Sequence, residues 1–534
     1  MDEKAATRDE LHHAAKALGL DLPAKATKAE VLEALASPAA QRNPDSHRED
    51  GHDGADDDAE ETDAGGRVSA RPDVASSCDG KPRIASQMEA FRVLAQARAE
   101  GQMVPLPRML TGNDRRTHVR QTIREDHQLR IARHNEEAFG KFDKLASSRF
   151  SFFRGTALLF YRDMAGDDSW MPTVLAAGDV HPENFGVMPN ADNVPIFGIN
   201  DYDEVFYAPF TWDLKRGATG FLIAAEEIGD YGSGKRRKIA RSFVRGYADK
   251  VNVYAADNTE ESADLRRDNA PELIADLFDD ATSGGRAKWL TKKYYNENKT
   301  GFRASKKLVP ITSRRDEFQE LIDRYVAESG LVVPPRAGTM RVKDVAERRG
   351  QGTASLGLVR YYVMIEGPHA DASDDLLLEF KQARRSALDG LVPHSEHVVD
   401  GNADRVVHGQ RVQLVSGDVF YGSIKHRGIS FLVRERSWFR DDIDLDDLSF
   451  KKWCEYARIC GEVLAQAHAL SDEAGLLDHD VEPDIVDAMG IPDLFVDDIV
   501  RYAEEADERC RRDHDGFRDD HELGAFRRID LVYR

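Results

Sequence analysis

Apolar positions recur along this chain with two different periods, and the change between them divides it. A helical spacing, with hydrophobic residues three and four apart, covers roughly Gln87–Glu100, Val119–Leu145 and Phe152–Met164. Two short apolar runs follow, Thr173–Ala177 and Val194–Ile199, each bounded by turn residues and each predicted as a strand. Helical spacing returns from Trp212 to about Lys250 and over Asp316–Glu328. From about Val342 to Arg436 the pattern shortens into strands, at Leu358–Ile365, Leu376–Phe380, Val419–Ile424 and Ile429–Arg434. The C-terminal stretch reads as helix again, most clearly over Phe450–Leu470 and Phe495–Arg511.

The N-terminal stretch is different. Thr7 with Glu10, and Thr27 with Glu30, are capping-box pairs that start two helices, Asp9–Leu18 and Lys28–Leu35, around an extended Gly19–Pro23. The arrangement resembles the helix-extended-helix modules of the SAP and Rho N-terminal types, some of which bind nucleic acid. Basic residues are few here (Lys16, Lys25, Lys28), so docking or spacing is an equal expectation. Residues 37–80 collapse to Asp, Glu, Gly, Pro and Ser, with an acidic run at Asp56–Glu61. Such a composition buries too little apolar surface to offset chain entropy, which predicts a disordered acidic linker.

Composition narrows the classes. With 534 residues, 41% of them hydrophobic, the chain is long enough for two or three structural units. A net charge of −22 disfavours generic binding to nucleic acid or anionic membranes. Cys78, Cys454, Cys460 and Cys510 form no CxxC pair and no disulfide framework. The polar start is not a signal peptide, and no apolar stretch is long enough for a bilayer, so a cytoplasmic location without membrane partners is expected.

Candidate chemistry concentrates after the first predicted strand. Gly178-Asp179-Val180-His181-Pro182-Glu183-Asn184 places an aspartate at a strand end and an asparagine five residues on; the second strand then delivers Asp201. Phosphoryl transfer needs a carboxylate to orient and deprotonate an acceptor hydroxyl, and oxygen ligands for magnesium. Asp179 suits the base; Asn184 and Asp201 suit the metal. Each residue alone is also an ordinary turn former, so the weight lies in the joint spacing.

These segments resemble the aminoglycoside phosphotransferase and choline kinase branch of the protein-kinase-like superfamily. Asp179, His181 and Asn184 match its catalytic segment, and Asp201, Tyr202 and Asp203 its metal strand. The resemblance implies ATP and Mg²⁺ as cofactors, catalytic roles for Asp179 and His181, and metal ligation by Asn184, Asp201 and Asp203. It also implies that Asp213, in Trp212-Asp213-Leu214, braces the catalytic loop. Phe153-Arg154-Gly155, Asn200–Glu204, Trp212–Arg216, Leu464–His468, and Tyr502-Ala503 with Asp513-His514 further resemble blocks of the bacterial domain of unknown function 2252 family, thought to be kinase-like.

A kinase carries its glycine loop and lysine strand ahead of the catalytic loop. Here the candidates come after it: Gly350–Gly357, with Gly352 and Gly357 at the phosphates, then Leu358–Ile365, then Leu376–Phe380 followed by Lys381. Arg154 is a further phosphate or carboxylate contact. Ile429–Arg434 reads as the edge strand leading to a hinge. Ala354 and Gln382 depart from the family pattern, and the acidic partner of Lys381 is open, with Glu396 and Gln413 considered. The acid-rich Asp513–Glu522 stretch is expected as an exposed helix end, and Arg236–Lys238 as a solvated face.

The expected fold is α+β, a two-lobed and circularly permuted kinase-like fold. Its parts are a helical module (1–36), a linker (37–80), a catalytic large-lobe part (81–335), a nucleotide-binding small lobe (336–437) and a helical remainder (438–534). The expected activity is transfer of a phosphoryl group from Mg-ATP to a hydroxyl of a small molecule or protein. The rivals are a catalytically weak nucleotide sensor and a nucleic-acid-associated regulator acting through residues 1–36.

Overall fold

The chain divides into two compact units, Met1–Asp73 and Val74–Arg534. The computed structural model describes residues 86–133, 136–350, 357–392 and 397–527, all within the second unit. The expected N-terminal module and linker, together with Gly352, Ala354 and Glu396, lie outside the described residues.

Six helices come first: α1 (Met88–Ala99), α2 (Gly112–Asp126), α3 (Gln128–Arg133), α4 (Glu136–Ser147), α5 (Arg149–Gly155) and α6 (Ala157–Arg162). The expected continuous helix over Phe152–Met164 is broken at Thr156. Its hydroxyl donates to the Phe152 carbonyl at 2.7 Å, and the backbone leaves helical geometry there, at φ −129°. Such back-bonding by threonine competes with the helical ladder, and the preceding glycine is a poor helix former. Ser148 caps α5 by accepting from Ser151 N at 3.0 Å.

Two antiparallel pairs then present the loops of interest. β1 (Thr173–Ala176) is separated in sequence from its partner β4 (Phe206–Pro209) by the hairpin β2 (Phe185–Pro189) and β3 (Pro195–Ile199). Helices α7 (Thr211–Glu227) and α8 (Ser233–Asp257) follow, interrupted where Asp230 takes a positive φ. Shorter helices α9 (Glu272–Thr282) and α10 (Arg286–Lys293) lead to β5 (Leu308–Pro310) and α11 (Arg315–Ser329).

A six-stranded antiparallel sheet adds β6 (Val342–Arg348), β7 (Arg360–Ile365), β8 (Leu376–Gln382), β9 (Gly422–His426) and β10 (Ile429–Glu435) to β5. Its order is β5-β6-β7-β8-β10-β9, with helix α12 (Asn402–Gln413) inserted between β8 and β9. Strand β10 is therefore interior, which corrects its expected edge position. It pairs with β8 on one side, and β9 folds back along its other side as a hairpin partner. One face packs Val363, Leu378, Phe380, Phe431 and Val433 against Phe318 and Ile322 of α11. Alternation sends Lys381, Glu379 and Arg434 to the opposite face.

The helical remainder is α13 (Phe450–Ala469), α14 (Glu482–Met489) and α15 (Pro492–Glu522). The main core joins α7, α8, α13 and α15 around Trp212, Phe221, Phe243, Tyr247 and Trp453, all fully buried. Cys460 is a buried core residue within it. The acid-rich end of α15 is exposed at Asp515, Asp519 and Glu522, as expected, but not at Asp513 and Asp520. Asp513 takes Arg115 Nη2 at 2.6 Å and Asp520 takes Arg116 and Arg120, so the arginines of α2 draw these carboxylates inward. Arg236 is likewise paired with Glu226 and Asp507 rather than solvated. No helix among the described residues is long and apolar enough to cross a membrane.

Candidate functional site

The loop after β1 is held from behind. Asp213, in the first turn of α7 and fully buried, accepts Ala177 N at 2.6 Å and Gly178 N at 2.9 Å. Its Oδ2 also lies 3.1 Å from His468 Nε2, and the other ring nitrogen of His468 meets the Tyr247 hydroxyl at 3.0 Å. A buried carboxylate satisfied by two amides and an imidazole fixes the strand end as rigidly as a ladder bond would. Gly178 turns the chain at φ +78°, where a Cβ would stand 2.3 Å from the Glu204 carbonyl oxygen. Only glycine fits both the angle and the approach.

That turn presents Asp179. Its Oδ1 accepts Arg216 Nε at 3.0 Å and Nη2 at 2.5 Å. Arg216 comes from the second turn of α7, is fully buried, and lies over the Phe153 ring at 4.4 Å. Burial pushes the Asp179 carboxyl above its ordinary value, and the Arg216 charge offsets this only in part. A carboxylate so raised is a better proton acceptor than a free one.

The hairpin brings the metal-type ligands together. Phe185 pairs with Ile199, so Asn184 at the start of β2 and Asn200 after β3 lie opposite each other, joined by Asn200 N to Asn184 O at 3.0 Å. Asn184 Nδ2 donates to the Asp179 carbonyl at 2.7 Å, which turns its side-chain oxygen away from the loop. Asp201 follows at the open end, and its Oδ1 accepts Asp203 N at 3.3 Å.

Lys381 reaches this end from β8. Its ammonium pairs with the Asp203 carboxylate and stands 3.5 Å from Asp201 Oδ1, with the side chain 4% exposed. Burial acts to raise Asp201, but Lys381, Arg434 and Arg440 outweigh it and hold the carboxyl below its usual value. Lys381 pairs in register with Arg360 of β7, and Gly357, at φ +77°, stands just ahead of that strand. Two residues before Lys381, Glu379 is buried between Arg434 Nε at 2.7 Å and Arg360 Nη1 at 3.1 Å.

The partners weighed for Lys381 resolve differently. Glu396 lies outside the described residues, and Gln413 donates to the Leu175 carbonyl; Asp404, the acid of α12, receives the Ser423 hydroxyl. The lysine therefore answers to the Asp201–Asp203 pair.

His181 and Arg154 form the wall beside Asp179. His181 is 1% exposed, accepts Glu183 N at Nδ1 (3.2 Å), and has Nε2 3.2 Å from Arg154 Nε and 3.8 Å from Asp179 Oδ2. Burial, with the Arg154 and Arg216 charges, holds the imidazole well below its usual value. It is a neutral brace at physiological pH. Arg154 also pairs with Glu183, which places it beside the base and away from Lys381.

Asp179 opens into a cleft of about 300 Å³, shared with Arg154, Lys141, Glu204, Arg384 and Arg385. Among these Lys141 stood in no motif. It lies on a helix distant in sequence, and only packing brings it to the base. Arg216 and His468 fell within sequence blocks already noted, yet their spacing carried no signal of their contacts with Asp179 and Asp213. A separate acidic group, Asp472, Asp480 and Glu482, gathers beyond α13 with ligand atoms within 4.8 Å of one another.

The family model described as "Uncharacterized protein conserved in bacteria (DUF2252)" matches residues 133–520, which include Asp179, Asn184, Asp201, Lys381 and His468. No curated protein and no solved structure matches the chain.

Proposed function

The chain belongs to this bacterial family, and we propose that it is a kinase-like phosphotransferase that moves a phosphoryl group from Mg-ATP to a hydroxyl of a small molecule or protein. One observation carries the reading. Asp179, Asn184, Asp201, Asp203 and Lys381 come from three separated segments; the fold bonds Asn184 to the Asp179 loop and brings Lys381 to Asp201 and Asp203 at the end of the same hairpin. In such enzymes a loop aspartate accepts the hydroxyl proton, an asparagine and an aspartate hold magnesium, and a strand lysine meets the phosphates. The Asn184 oxygen and the Asp201 and Asp203 carboxylates are hard donors suited to Mg²⁺, which supplies charge neutralisation on the transferred group when bound.

The sheet order adds support. Lys381 lies on the third strand of the run β6-β7-β8, and a helix follows it before the β9–β10 hairpin. That is the strand position of the phosphate-binding lysine in protein kinases, with a helix next in the chain. Here the whole lobe follows the catalytic loop in sequence, so the reading is of a permuted arrangement.

A second reading has its own observation. Lys381 pairs with the very carboxylates that would bind the metal, and α12 offers it no acid. This favours a nucleotide sensor with little turnover.

Thermal stabilisation by ATP and magnesium separates these from no nucleotide function at all. The wild type should gain melting temperature and Asp201→Asn should not; equal responses, or none in the wild type, would overturn the proposal. Loss of transfer in Asp179→Asn with ATP binding intact marks the enzyme. Absence of turnover with any hydroxyl acceptor marks the sensor.

A further inference from the structure

The charges lining the Asp179 cleft are unevenly satisfied. Each of its carboxylates already has a partner. Glu125 takes Arg162 at 2.7 Å, Asp126 takes Arg384 at 3.1 Å, Asp179 takes Arg216 at 2.5 Å, and Glu204 accepts Ala387 N at 2.5 Å. The cations are not matched in the same way. Lys141 is 1% exposed and has no hydrogen bond or ion pair among the described residues. Arg385 has a buried Nη1 without a hydrogen bond, and its nearest carboxylate, Asp389, stands 3.9 Å away.

A lysine with a buried stem keeps its charge only where water or an anion meets the amine. Burial and the charges of Arg130 and Arg384 push the Lys141 ammonium well below its usual value, opposed in part by Asp126 and Asp179. The backbone makes room for this group: a Cβ on Gly155 would stand 3.1 Å from Lys141 Nζ. An amine that lines the cleft beside the candidate base, with no ion pair among the described residues, is placed to meet an anion.

We propose that this cleft takes an anionic hydroxyl compound, one bearing a phosphate or carboxylate group, with Lys141 and Arg385 gripping the anion while the hydroxyl faces Asp179. The inference rests on the phosphotransferase reading and names the acceptor class for it. A cationic acceptor would find no unpaired carboxylate in the cleft, whereas an anion completes two open donors. Burial lowers the Lys141 ammonium from its ordinary value, so a bound anion favours its charged form and binding weakens as pH rises.

Calorimetric titration of the full chain with inorganic phosphate, and separately with acetate, tests this at constant ionic strength across a range of pH. Phosphate should bind more weakly as pH rises. Lys141→Met and Arg385→Gln should each weaken it about tenfold or more, and Lys425→Met, at an exposed position outside the site, should leave it unchanged. Acetate binding with the same variant pattern assigns a carboxylate-bearing acceptor; phosphate binding alone assigns a phosphate-bearing one. Failure of both anions to bind at about 20 mM overturns the inference, as does equal binding in Lys141→Met, or loss in Lys425→Met instead. If Mg-ATP still stabilises the protein in that event, the acceptor class falls while the phosphotransferase reading stands. Anion binding without any Mg-ATP response keeps the site and removes that reading.

Discussion

Arg216 lies directly beneath Asp179, its Nη2 2.5 Å from Oδ1, and no part of its side chain is exposed. The pair joins the second turn of α7 to the loop after β1. It also gives the candidate base a fixed direction, because both guanidinium contacts fall on Oδ1 and leave Oδ2 on the side of His181, 3.8 Å away.

Removing one member of a buried pair strands the other. Arg216→Met should therefore cost about 3–5 kcal/mol, read from urea melts. The loss depends on pH. Burial already raises Asp179, and without Arg216 it rises further. Stability from a raised carboxyl is complete below its unfolded value and declines as pH rises through the folded one. The gap to wild type should widen from pH 5 to pH 8, and adding Asp179→Asn should narrow it. A gap that stays constant with pH would show that lost packing on Phe153, rather than the stranded carboxylate, sets the cost.

Asp213→Asn replaces an acceptor of two amides with a group that can accept only through one oxygen. Destabilisation of about 1–3 kcal/mol is expected, and His468→Gln removes one contact of Asp213, at 3.1 Å, while leaving both amides bonded to it. Faster amide exchange at Ala177 and Gly178 in both variants would report the loosened loop. Unchanged exchange there would remove the bracing role.

Lys381 competes with any cation for Asp201 and Asp203. Lys381→Met should bind Mn²⁺ alone roughly tenfold tighter, as expected when one nearby positive charge is withdrawn. The same variant should lose its response to Mg-ATP. Electron paramagnetic titration of free Mn²⁺ measures the first effect and thermal melts the second. Weaker Mn²⁺ binding in the variant would mean that the carboxylates are not a metal pair.

Glu204 is pushed up to about 7, chiefly by burial, against the Arg384 charge and the Ala387 amide. A raised carboxyl stabilises fully below its unfolded value near 4.5 and loses that contribution as pH climbs through about 7. Glu204→Gln should flatten this part of the stability curve, removing a drop of roughly 3 kcal/mol between pH 4.5 and 7. Guanidinium melts across that window check it, and an identical pH slope in the variant would contradict the assignment.

Local signals made parts of this protein readable in advance. Short apolar runs identified β3, β7 and β8, which are buried on both faces, and three-and-four spacing identified α11 and α13, whose buried positions follow it. Asp179, Asn184 and Asp201 were legible because the hairpin that joins them is short and their order is local. Helix α12 was not, since its buried positions include Arg405, Gln410 and Gln413, polar side chains whose partners lie far along the chain. The interior place of β10 was equally hidden, because pairing order is set by which edge closes a sheet and leaves no trace in a strand's own alternation.

The amino-acid sequence by itself determined where several strands and helices lie, that a carboxylate–asparagine–carboxylate series occupies two neighbouring turns, and that a lysine ends a strand downstream. Tertiary structure alone decided what those groups meet. Asp201 and Lys381 lie 180 residues apart and become neighbours only when β8 folds over the β2–β3 hairpin. Lys141 reaches the cleft of Asp179 only because α4 packs beneath Gly155 of α5. Contacts of that kind arise from close packing of faces that no local pattern pairs, and the electrostatics of the site follows from those contacts.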